Sequence, residues 1–560
     1  MRQGRTKFIF IAFFLFSAAI IGRLIYFQVF KYEYYLAQAL GQQKISNMQK
    51  GERGGIFFDD GKPLAINQDF TYVCVSANEN KNIQEEISPL AQVLGLEANS
   101  ILEKLNKEDA LCVTVKKKIT DQEAIEVERL NIDGVHLKQE TLRYHPYDAL
   151  ASQVAGFLGG DGQGQYGIEA YYNKTLSGQD WRLEMEKGPS GYIVSGSDGL
   201  MPKGSDIILT LNYHLQFYAE QLLGKAAGDL KIEAGEIIVM DPNSGKILVL
   251  ANFPTFDLNN YSQVNSLEVF QNSSIQKIFE PGSVFKPITM AAGLDQDKIT
   301  PQTTYLDPGT ELIDGYKITN YDKKTYAGLL TMTDVLEKSI NTGAVFVERQ
   351  IGHQTFLEYV EKFGFLEKTG IDLQGEIFSQ NKELKKGRDV NFATASFGQG
   401  IEMTSLQLVR AFAAIANGGK LLKPYIVEKV IEDGRVLETQ PEIINPAVIS
   451  SQAVSQLRAM MVSVAENGYS KKAQVQGYYL AGKTGTAQVP FSAMGINKKG
   501  YSDKTIQSFI GFGPAFNPRF IILVKLYNPQ TKTAGQSAVP IFQQLAKYII
   551  DYWQIPPDHQ

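Results

Sequence analysis

One apolar run near the N-terminus limits the architecture of this chain more than any other feature. Phe8–Phe30 spans 23 residues and carries a single charge, Arg23. As a helix this run would be about 34 Å long, which is enough to cross a hydrocarbon core of about 30 Å. Arg2, Arg5 and Lys7 precede it without an acidic residue. The positive-inside rule therefore predicts a cytoplasmic N-terminus and an extracytoplasmic remainder.

A cleaved signal peptide is the alternative interpretation of the same run. No small-x-small cleavage pattern closes it, and apolar residues continue through Phe27 and Phe30. We therefore expect residues 1–7 to form a cytoplasmic tail and residues 8–30 to form a single-pass membrane anchor. No second run of comparable length follows, which argues against a transporter.

The remaining composition describes an ordinary globular chain. Its 560 residues exceed the size of one hydrophobic core, so at least two further domains are expected. The net charge of −5 gives no sign of a nucleic-acid-binding surface. The two cysteines, Cys74 and Cys112, exclude a disulfide-rich scaffold. They could form one disulfide in an oxidising compartment, but the sequence favours two separate thiols.

Local patterns divide the rest of the chain into three parts. A polar, Gln-rich stretch predicts a stalk at residues 31–50. Short β-branched segments, such as 70–77 and 110–118, predict a β-rich α+β domain over residues 51–205. A last domain is expected at residues 206–555, with a helix capped by Asn212, a hairpin formed by 236–241 and 246–253, and a helix opened by the capping box Thr404–Gln407.

Three short motifs in this last part point to nucleophilic chemistry. They are Ser283-Val284-Phe285-Lys286, Ser339-Ile340-Asn341 and Lys483-Thr484-Gly485-Thr486. Pro281-Gly282 predicts a turn, and Pro287 fits only near a helix start, so a helix should begin close to Ser283. Ser283 and Lys286 then share one helix face. A lysine held away from water beside another cation can be neutral and can serve as the base for a serine.

Other matches to the same patterns compete with this assignment. Ser274/Lys277 and Ser379/Lys382 also fit S-x-x-K, and Lys368-Thr369-Gly370 is a second K-T-G. We expect both serine–lysine pairs to be exposed coincidences and the second K-T-G to be a loop, because no helix start or strand accompanies them. The segment Gly477–Thr484 matches a nucleotide-binding P-loop. Its Tyr-Tyr-Leu-Ala interior predicts a strand, and no helix start follows Lys483, which argues against that reading.

On these motifs the chain resembles the class B penicillin-binding proteins, which are membrane-anchored, monofunctional peptidoglycan D,D-transpeptidases. The similarity extends to Arg53–Ile56, to Tyr166–Glu169 and to Phe397–Gly400. Two positions depart from the family pattern: Asp60 stands where Arg is common, and Ser405 stands where T-P-L-Q has Pro. Phe279–Ser283 reads FEPGS, which is closer to the division-type branch than to the elongation-type branch.

The resemblance implies a fold and a mechanism. It implies a β-rich α+β pedestal domain and a C-terminal α/β transpeptidase domain, with an antiparallel sheet between helical layers. Ser283 would attack the penultimate D-alanine carbonyl of a stem peptide, and Lys286 would take its proton. Ser339 would relay a proton, Asn341 would contact Lys286 or the substrate amide, and Lys483 would supply positive charge. The backbone N–H groups of Ser283 and Thr486 would form an oxyanion hole. Thr484, Gly485 and Thr486 would bind the substrate.

The resemblance also implies partners, inhibitors and a location. β-Lactams would acylate Ser283, and no metal or organic cofactor is implied. The partners would be peptidoglycan stem peptides, a SEDS-type glycosyltransferase and other cell-wall assembly proteins, in the bacterial cytoplasmic membrane and with a septal role favoured. A membrane-anchored β-lactamase or D,D-carboxypeptidase is one alternative, although such an enzyme does not need the domain that precedes the motifs. A non-catalytic scaffold is the other, although it would not need four chemically matched groups.

Overall fold

The computed structural model describes residues 2–32, 44–49, 51–80, 82–107, 111–178, 181–187, 193–195 and 203–559. These residues form two compact units. One comprises Met1–Arg53 with Ser177–Gly204, and the other comprises Gly54–Leu176 with Ser205–Gln560.

The smaller unit contains the apolar run and a small sheet. The run is helical, as predicted: an α-helix over Arg2–Ile25 continues as a π-helical turn over Tyr26–Phe30. Lys7–Phe30 is long enough and apolar enough to span a membrane. Part of the predicted stalk is a strand, Lys44–Gln49, which pairs antiparallel with Trp181–Lys187. The polar sequence of this strand gave no alternating pattern by which to predict it.

The larger unit begins with a seven-stranded sheet that mixes distant parts of the chain. In order, its strands are Arg435–Glu438, Val427–Glu432, Asp206–Leu209, Ile56–Phe57, Pro63–Val75 and Val113–Lys116, and Val135–Tyr144 also pairs with Pro63–Val75. The helices Ile83–Leu94, Ala98–Lys107 and Asp121–Leu130 pack on it through an apolar cluster that includes Val73, Val75, Leu90 and Val115. This part is the β-rich α+β pedestal that the resemblance implied.

The two cysteines form a disulfide bond in this sheet, so the expectation of two separate thiols was wrong. The strand that carries Cys74 pairs antiparallel with Val113–Lys116, and Cys112 directly precedes that second strand. The register brings the two Cα atoms to 5.5 Å, a normal disulfide spacing. Pairing between segments that lie 38 residues apart could not be deduced from the strand propensity of either one.

The pedestal motifs meet at one buried ion pair. Arg143 Nε donates to Glu169 Oε1 at 2.7 Å, and both side chains are almost fully buried. A second guanidinium nitrogen of Arg143 donates to Gly54 O at 2.8 Å. The Arg53–Ile56 and Tyr166–Glu169 motifs are therefore fixed to each other. At the unusual position, Asp60 pairs locally with Lys62.

The predicted boundary at 205–206 falls beside a shared strand. Asp206–Leu209 pairs parallel with Ile56–Phe57 and antiparallel with Val427–Glu432. One sheet therefore joins the pedestal to the C-terminal part of the chain, and the boundary stays a prediction. Asn212 caps the following helix, Tyr213–Asp229, as predicted.

The C-terminal part is built around a five-stranded antiparallel sheet. Its strands, in order, are Ile247–Phe253, Ala234–Met240, Phe520–Tyr527, Tyr501–Gly513 and Ala481–Pro490. Alternate residues of the central strands enter two different apolar cores: Ile522 and Val524 lie in one, and Ile521 and Leu523 lie in the other. A sheet that is buried on both faces requires helices on both sides.

Helices cover both faces in that way. One side carries Tyr213–Asp229 and Ala538–Tyr552. The other side carries Lys286–Asp295, Ser405–Ala416 and Ser451–Asn467. The Thr404–Gln407 capping box opens its helix as predicted. The predicted α/β fold, with an antiparallel sheet between helical layers, is therefore confirmed.

Candidate active site

The Ser283 turn, Gly282–Phe285, leads into a fully buried helix. The turn is a 3₁₀ helix, and the α-helix Lys286–Asp295 follows it directly with Pro287 in its first turn. The helix start predicted near Ser283 is thus one 3₁₀ turn followed by the α-helix. Gly282 has φ +62° and its N–H donates to Gly398 O at 2.9 Å, so the Phe397–Gly400 motif supports the turn from behind.

Ser339 occupies a strained position between two helices. It is a non-glycine residue with φ +54°, and it lies between Met332–Glu337 and Asn341–Ile351. Such left-handed backbone is costly for most residues and often marks functional sites. Lys286 Nζ donates to Ser339 O at 2.5 Å and to its Oγ at 3.2 Å. The strain presents both oxygens of Ser339 to the lysine.

Lys483 reaches the same serine from the sheet. Its Nζ donates to Ser339 Oγ at 2.9 Å and to Thr484 O at 3.2 Å. The structure therefore brings together the lysines of the first and third motifs through the serine of the second. Among the described residues, the Ser283 hydroxyl has no hydrogen-bond partner, so Lys286 is held by Ser339 and not by the proposed nucleophile.

Both lysines are buried, and neither has a carboxylate partner among the described residues. Lys286 is 0% exposed and Lys483 is 1% exposed. Burial, followed by the charge of Lys483, lowers the pKa of Lys286 well below its ordinary value. Burial also lowers the pKa of Lys483 to about 7. Loss of water disfavours an ammonium ion, so Lys286 is suited to act as a neutral amine.

The K-T-G segment lies on the edge strand Ala481–Pro490, and no helix opens at Lys483. This strand excludes the P-loop reading. Gly485 is required by the protein itself, because a Cβ there would lie 3.0 Å from Pro281 O and from Val284 Cγ1. The Ser283 turn therefore packs directly against the edge strand. Thr484 and Thr486 are two residues apart, and both line the pocket described next.

A pocket of about 230 Å³ opens in front of these groups. Four of the predicted site residues line it, namely Ser283, Ser339, Thr484 and Thr486. The wall also contains residues that no motif indicated: Asn320, Tyr321, Asp322, Lys338, Tyr469, Thr533, Ala534 and Gly535. Only Lys338 had a sequence signal, since it adjoins Ser339; the others come from separate loops and reach the pocket through the fold.

Asn341 stands apart from the predicted contacts. Its Nδ2 donates to Thr319 O at 2.8 Å, and its N–H donates to Asn320 Oδ1 at 3.0 Å. In the described part of the chain it makes no hydrogen bond to Lys286. Asn341 therefore fixes the segment that carries Asn320 and Tyr321 into the pocket wall.

The competing motif matches have other functions. Ser274 is fully buried, and its Oγ donates to Glu236 Oε2 at 3.1 Å. Ser379 is also buried, so the expectation that both serines are exposed was wrong. The second K-T-G lies in a loop, as expected, where Thr369 N–H donates to Glu376 Oε1 at 2.6 Å. None of these residues lines the pocket.

Comparisons with known proteins agree with this geometry. The family model for the penicillin-binding protein transpeptidase domain matches residues 235–547, and the model for the penicillin-binding protein dimerisation domain matches residues 48–209. Stage V sporulation protein D of Bacillus subtilis is 32% identical over 500 residues, which cover 88% of this chain and 76% of that protein.

Two further similarities extend over almost the whole length. A Pseudomonas aeruginosa protein named "probable peptidoglycan D,D-transpeptidase PbpC" is 31% identical over 567 residues, covering 100% of this chain and 97% of the relative. The crystal structure of penicillin-binding protein 3 from Mycobacterium tuberculosis, complexed with aztreonam, superposes with a TM-score of 0.70 at 25% identity and covers 91% of this chain and 98% of that one. The chain therefore belongs to the class B penicillin-binding proteins, as its three motifs had indicated.

Proposed function

We propose that this protein is a peptidoglycan D,D-transpeptidase that cross-links stem peptides in cell-wall synthesis and that β-lactams inhibit by acylating Ser283. The observation that carries the proposal is the convergence of Lys286 and Lys483 on Ser339, beside a pocket that Ser283 lines. The name of the Pseudomonas aeruginosa relative states the same activity.

Acylation begins with Ser283. Its Oγ attacks the carbonyl carbon of the penultimate D-alanine, and the neutral Lys286 amine takes the hydroxyl proton. Negative charge then develops on the carbonyl oxygen, which the backbone N–H groups of Ser283 and Thr486 receive. Removing one such donor typically lowers the rate by about 10²–10³. Because Ala481–Pro490 is an edge strand, its outward N–H groups are not used by a neighbouring strand.

Collapse of the tetrahedral intermediate breaks the peptide C–N bond. A proton passes from Lys286 through the Ser339 hydroxyl to the leaving D-alanine amine, along the hydrogen bond that joins them. The substrate carboxylate is bound by the hydroxyls of Thr484 and Thr486 and by the charge of Lys483, while Gly485 keeps the strand close to the Ser283 turn. An amine of a neighbouring stem peptide then attacks the acyl-enzyme, forms the cross-link and releases Ser283.

The remaining assignments concern the cellular setting. The N-terminal charges favour a cytoplasmic N-terminus with the pocket outside the membrane, and the FEPGS sequence favours a septal role. A SEDS-type glycosyltransferase that supplies glycan strands would bind the anchor and pedestal. Co-purification of such a glycosyltransferase with the intact chain, and its loss when Lys7–Phe30 is replaced by an unrelated apolar helix, would support this partner.

A fluorescent penicillin tests the nucleophile. We expect stable covalent label on the full-length protein in detergent, loss of label in Ser283→Ala, and retention in Ser274→Ala, whose serine belongs to a competing S-x-x-K match. Label that disappears within seconds would favour the β-lactamase alternative. A folded wild-type protein that takes no label would refute the assignment of Ser283.

A second assay tests the transfer step. With a peptide ending in D-Ala-D-Ala and a labelled D-amino acid as acceptor, a transpeptidase produces an exchanged peptide. A D,D-carboxypeptidase produces only the shortened peptide, because water resolves its acyl-enzyme. Dominant exchange is the expected result.

A further inference from the structure

Two carboxylates face each other beside the Ser283 turn. The short strand Ile278–Phe279 pairs antiparallel with Met403–Thr404, and Phe279 lies opposite Met403. Continuing this register places Glu280 opposite Glu402. Like charges directly opposite each other on paired strands repel, so the pairing is most stable when one of the two carboxyls is neutral.

The surroundings identify Glu280 as the group that holds the proton. Burial raises the pKa of Glu280 to about 7, and the charge of Glu402 acts in the same direction. The Tyr501 hydroxyl donates to Glu280 Oε2 at 3.0 Å, which partly opposes the rise. Glu402 accepts a hydrogen bond from Ser379 Oγ at 3.1 Å. Among the described residues, Tyr501 and Glu402 are the titratable groups that act on Glu280.

The backbone between Glu280 and Ser283 is short and restrained. Only Pro281 and Gly282 intervene, and proline fixes its own φ. The Gly282 N–H is bonded to Gly398 O, and Pro281 O lies against Gly485. Tyr501 begins the strand that pairs with the K-T-G strand, where it lies opposite Pro490. A displacement of Glu280 would therefore reach both the Ser283 turn and the edge strand.

We propose that Glu280 is a positioning residue for Ser283, and that Glu280, Glu402 and Tyr501 form a proton-dependent latch on the Ser283 turn. The protonated Glu280 carboxyl bridges the strand pair and Tyr501, and it holds the turn in place. Ionisation sets Glu280 against Glu402, loosens the turn and slows acylation. The inference rests on the proposed function, since its readout is the acylation of Ser283.

The test is the second-order rate of acylation by a fluorescent penicillin, measured against pH on the full-length protein in detergent. In the wild type, we expect the acylation rate to fall as the pH rises through about 7, which gives the pH profile a descending limb. Glu280→Gln cannot ionise and should lose this limb. Glu402→Gln removes the charge that repels the ionised Glu280, so the fall in rate above about pH 7 should also become much smaller. Tyr501→Phe removes a donor that favours the ionised form and should move the limb upward.

The weakened limb in Glu402→Gln and the upward shift in Tyr501→Phe separate this latch from the titration of Lys483, which also has a pKa of about 7. Glu220→Gln is the matched control. Burial raises the pKa of Glu220 to about 7 as well, but Glu220 accepts hydrogen bonds from Gln216 and from the Ala151 N–H, away from the pocket. The descending limb of the Glu220→Gln profile should therefore lie at the same pH as in the wild type.

Each outcome decides the proposal. If Glu280→Gln does not fold, the weakened limb in Glu402→Gln and the upward shift in Tyr501→Phe still test the latch. Superimposable pH profiles for those two variants and the wild type would overturn the latch while leaving the proposed function intact. A wild type that takes no label at any pH would overturn both.

Discussion

Buried lysines occur in two places in the C-terminal domain, and their surroundings differ in one respect. Lys525 lies on a central strand directly opposite Glu236, and its Nζ is 2.5 Å from Glu236 Oε1. Lys286 and Lys483 are even more deeply buried than Lys525, but their partners are hydroxyl and carbonyl oxygens. One environment keeps a charge pair and the other does not.

The carboxylate decides what each lysine can do. Burial alone would raise the pKa of Glu236, but the Lys525 charge and three serine hydroxyls outweigh it, and the pKa lies below its ordinary value. Glu236 is thus ionised, and Lys525 acts as its counter-charge in the core. At the pocket, no carboxylate in the described part of the chain compensates for the loss of water, so the proton is weakly held and Lys286 can act as a base.

Lys286→Met should produce the largest effect. Removing a general base costs about 10²–10⁴ in rate, so we expect acylation of Ser283 by a fluorescent penicillin to slow by that factor. The melting temperature should not fall, because the substitution removes a buried amine that has no counter-charge among the residues that the structure describes. Stopped-flow labelling and a thermal melt of the same sample measure both quantities.

The exposed Lys382, from a competing S-x-x-K match, provides the control, since Lys382→Met should label like the wild type. Near-wild-type labelling of Lys286→Met would show that another group accepts the Ser283 proton. The contrast between the two lysine environments would then have no catalytic meaning.

Lys525→Met makes the same substitution on the other side of the comparison and should affect stability instead. It leaves Glu236 buried and charged, a situation that typically costs about 3–5 kcal/mol. The double variant Glu236→Met/Lys525→Met removes both charges and should recover most of that loss. Urea unfolding followed by circular dichroism gives the free energies. If the single variant is no less stable than the double variant, the ion pair does not stabilise this core.

The sequence predicted one of these environments and not the other. Ser283, Lys286, Ser339 and Lys483 stand in short motifs that together resemble a known family, so that resemblance led us to expect their meeting before the fold was known. Nothing local links Glu236 to Lys525, because they are brought together by strands that lie far apart in the chain. Ser405 gave a hint: it departs from the family's proline, and its hydroxyl contacts both members of the pair.

The same distinction explains the failures. The disulfide between Cys74 and Cys112 depends on strand register, and the pocket wall at Tyr321 and Tyr469 depends on how separate loops converge. Ser274 was expected to be exposed because no helix start accompanied it in the sequence. It lies in the short helix Ser273–Gln276, where Ser273 and Ser274 both donate to a buried carboxylate. Local patterns such as helix caps were predictable, whereas contacts set by long-range pairing were predictable only where the family resemblance implied them.

Lys483 allows the smallest and most direct test of the comparison. Its pKa is about 7 in the folded protein and about 10.4 in an unfolded chain. Between these values the unfolded chain binds a proton that the folded protein does not. The free energy of unfolding should therefore rise with pH in this window, by up to about 1.4 kcal/mol per pH unit, and fall again as the pH drops towards 7.

Lys483→Met lacks this contribution. The difference in melting temperature, wild type minus variant, should therefore increase as the pH rises from about 7 to about 9. Lys382→Met, which removes an exposed lysine, should follow the wild type across the same range. Parallel curves for the wild type and Lys483→Met would mean that Lys483 keeps its proton in the folded protein. Lys483 would then stay charged although it has no carboxylate partner among the described residues. The absence of a carboxylate would then not explain any difference in protonation between Lys483 and Lys525.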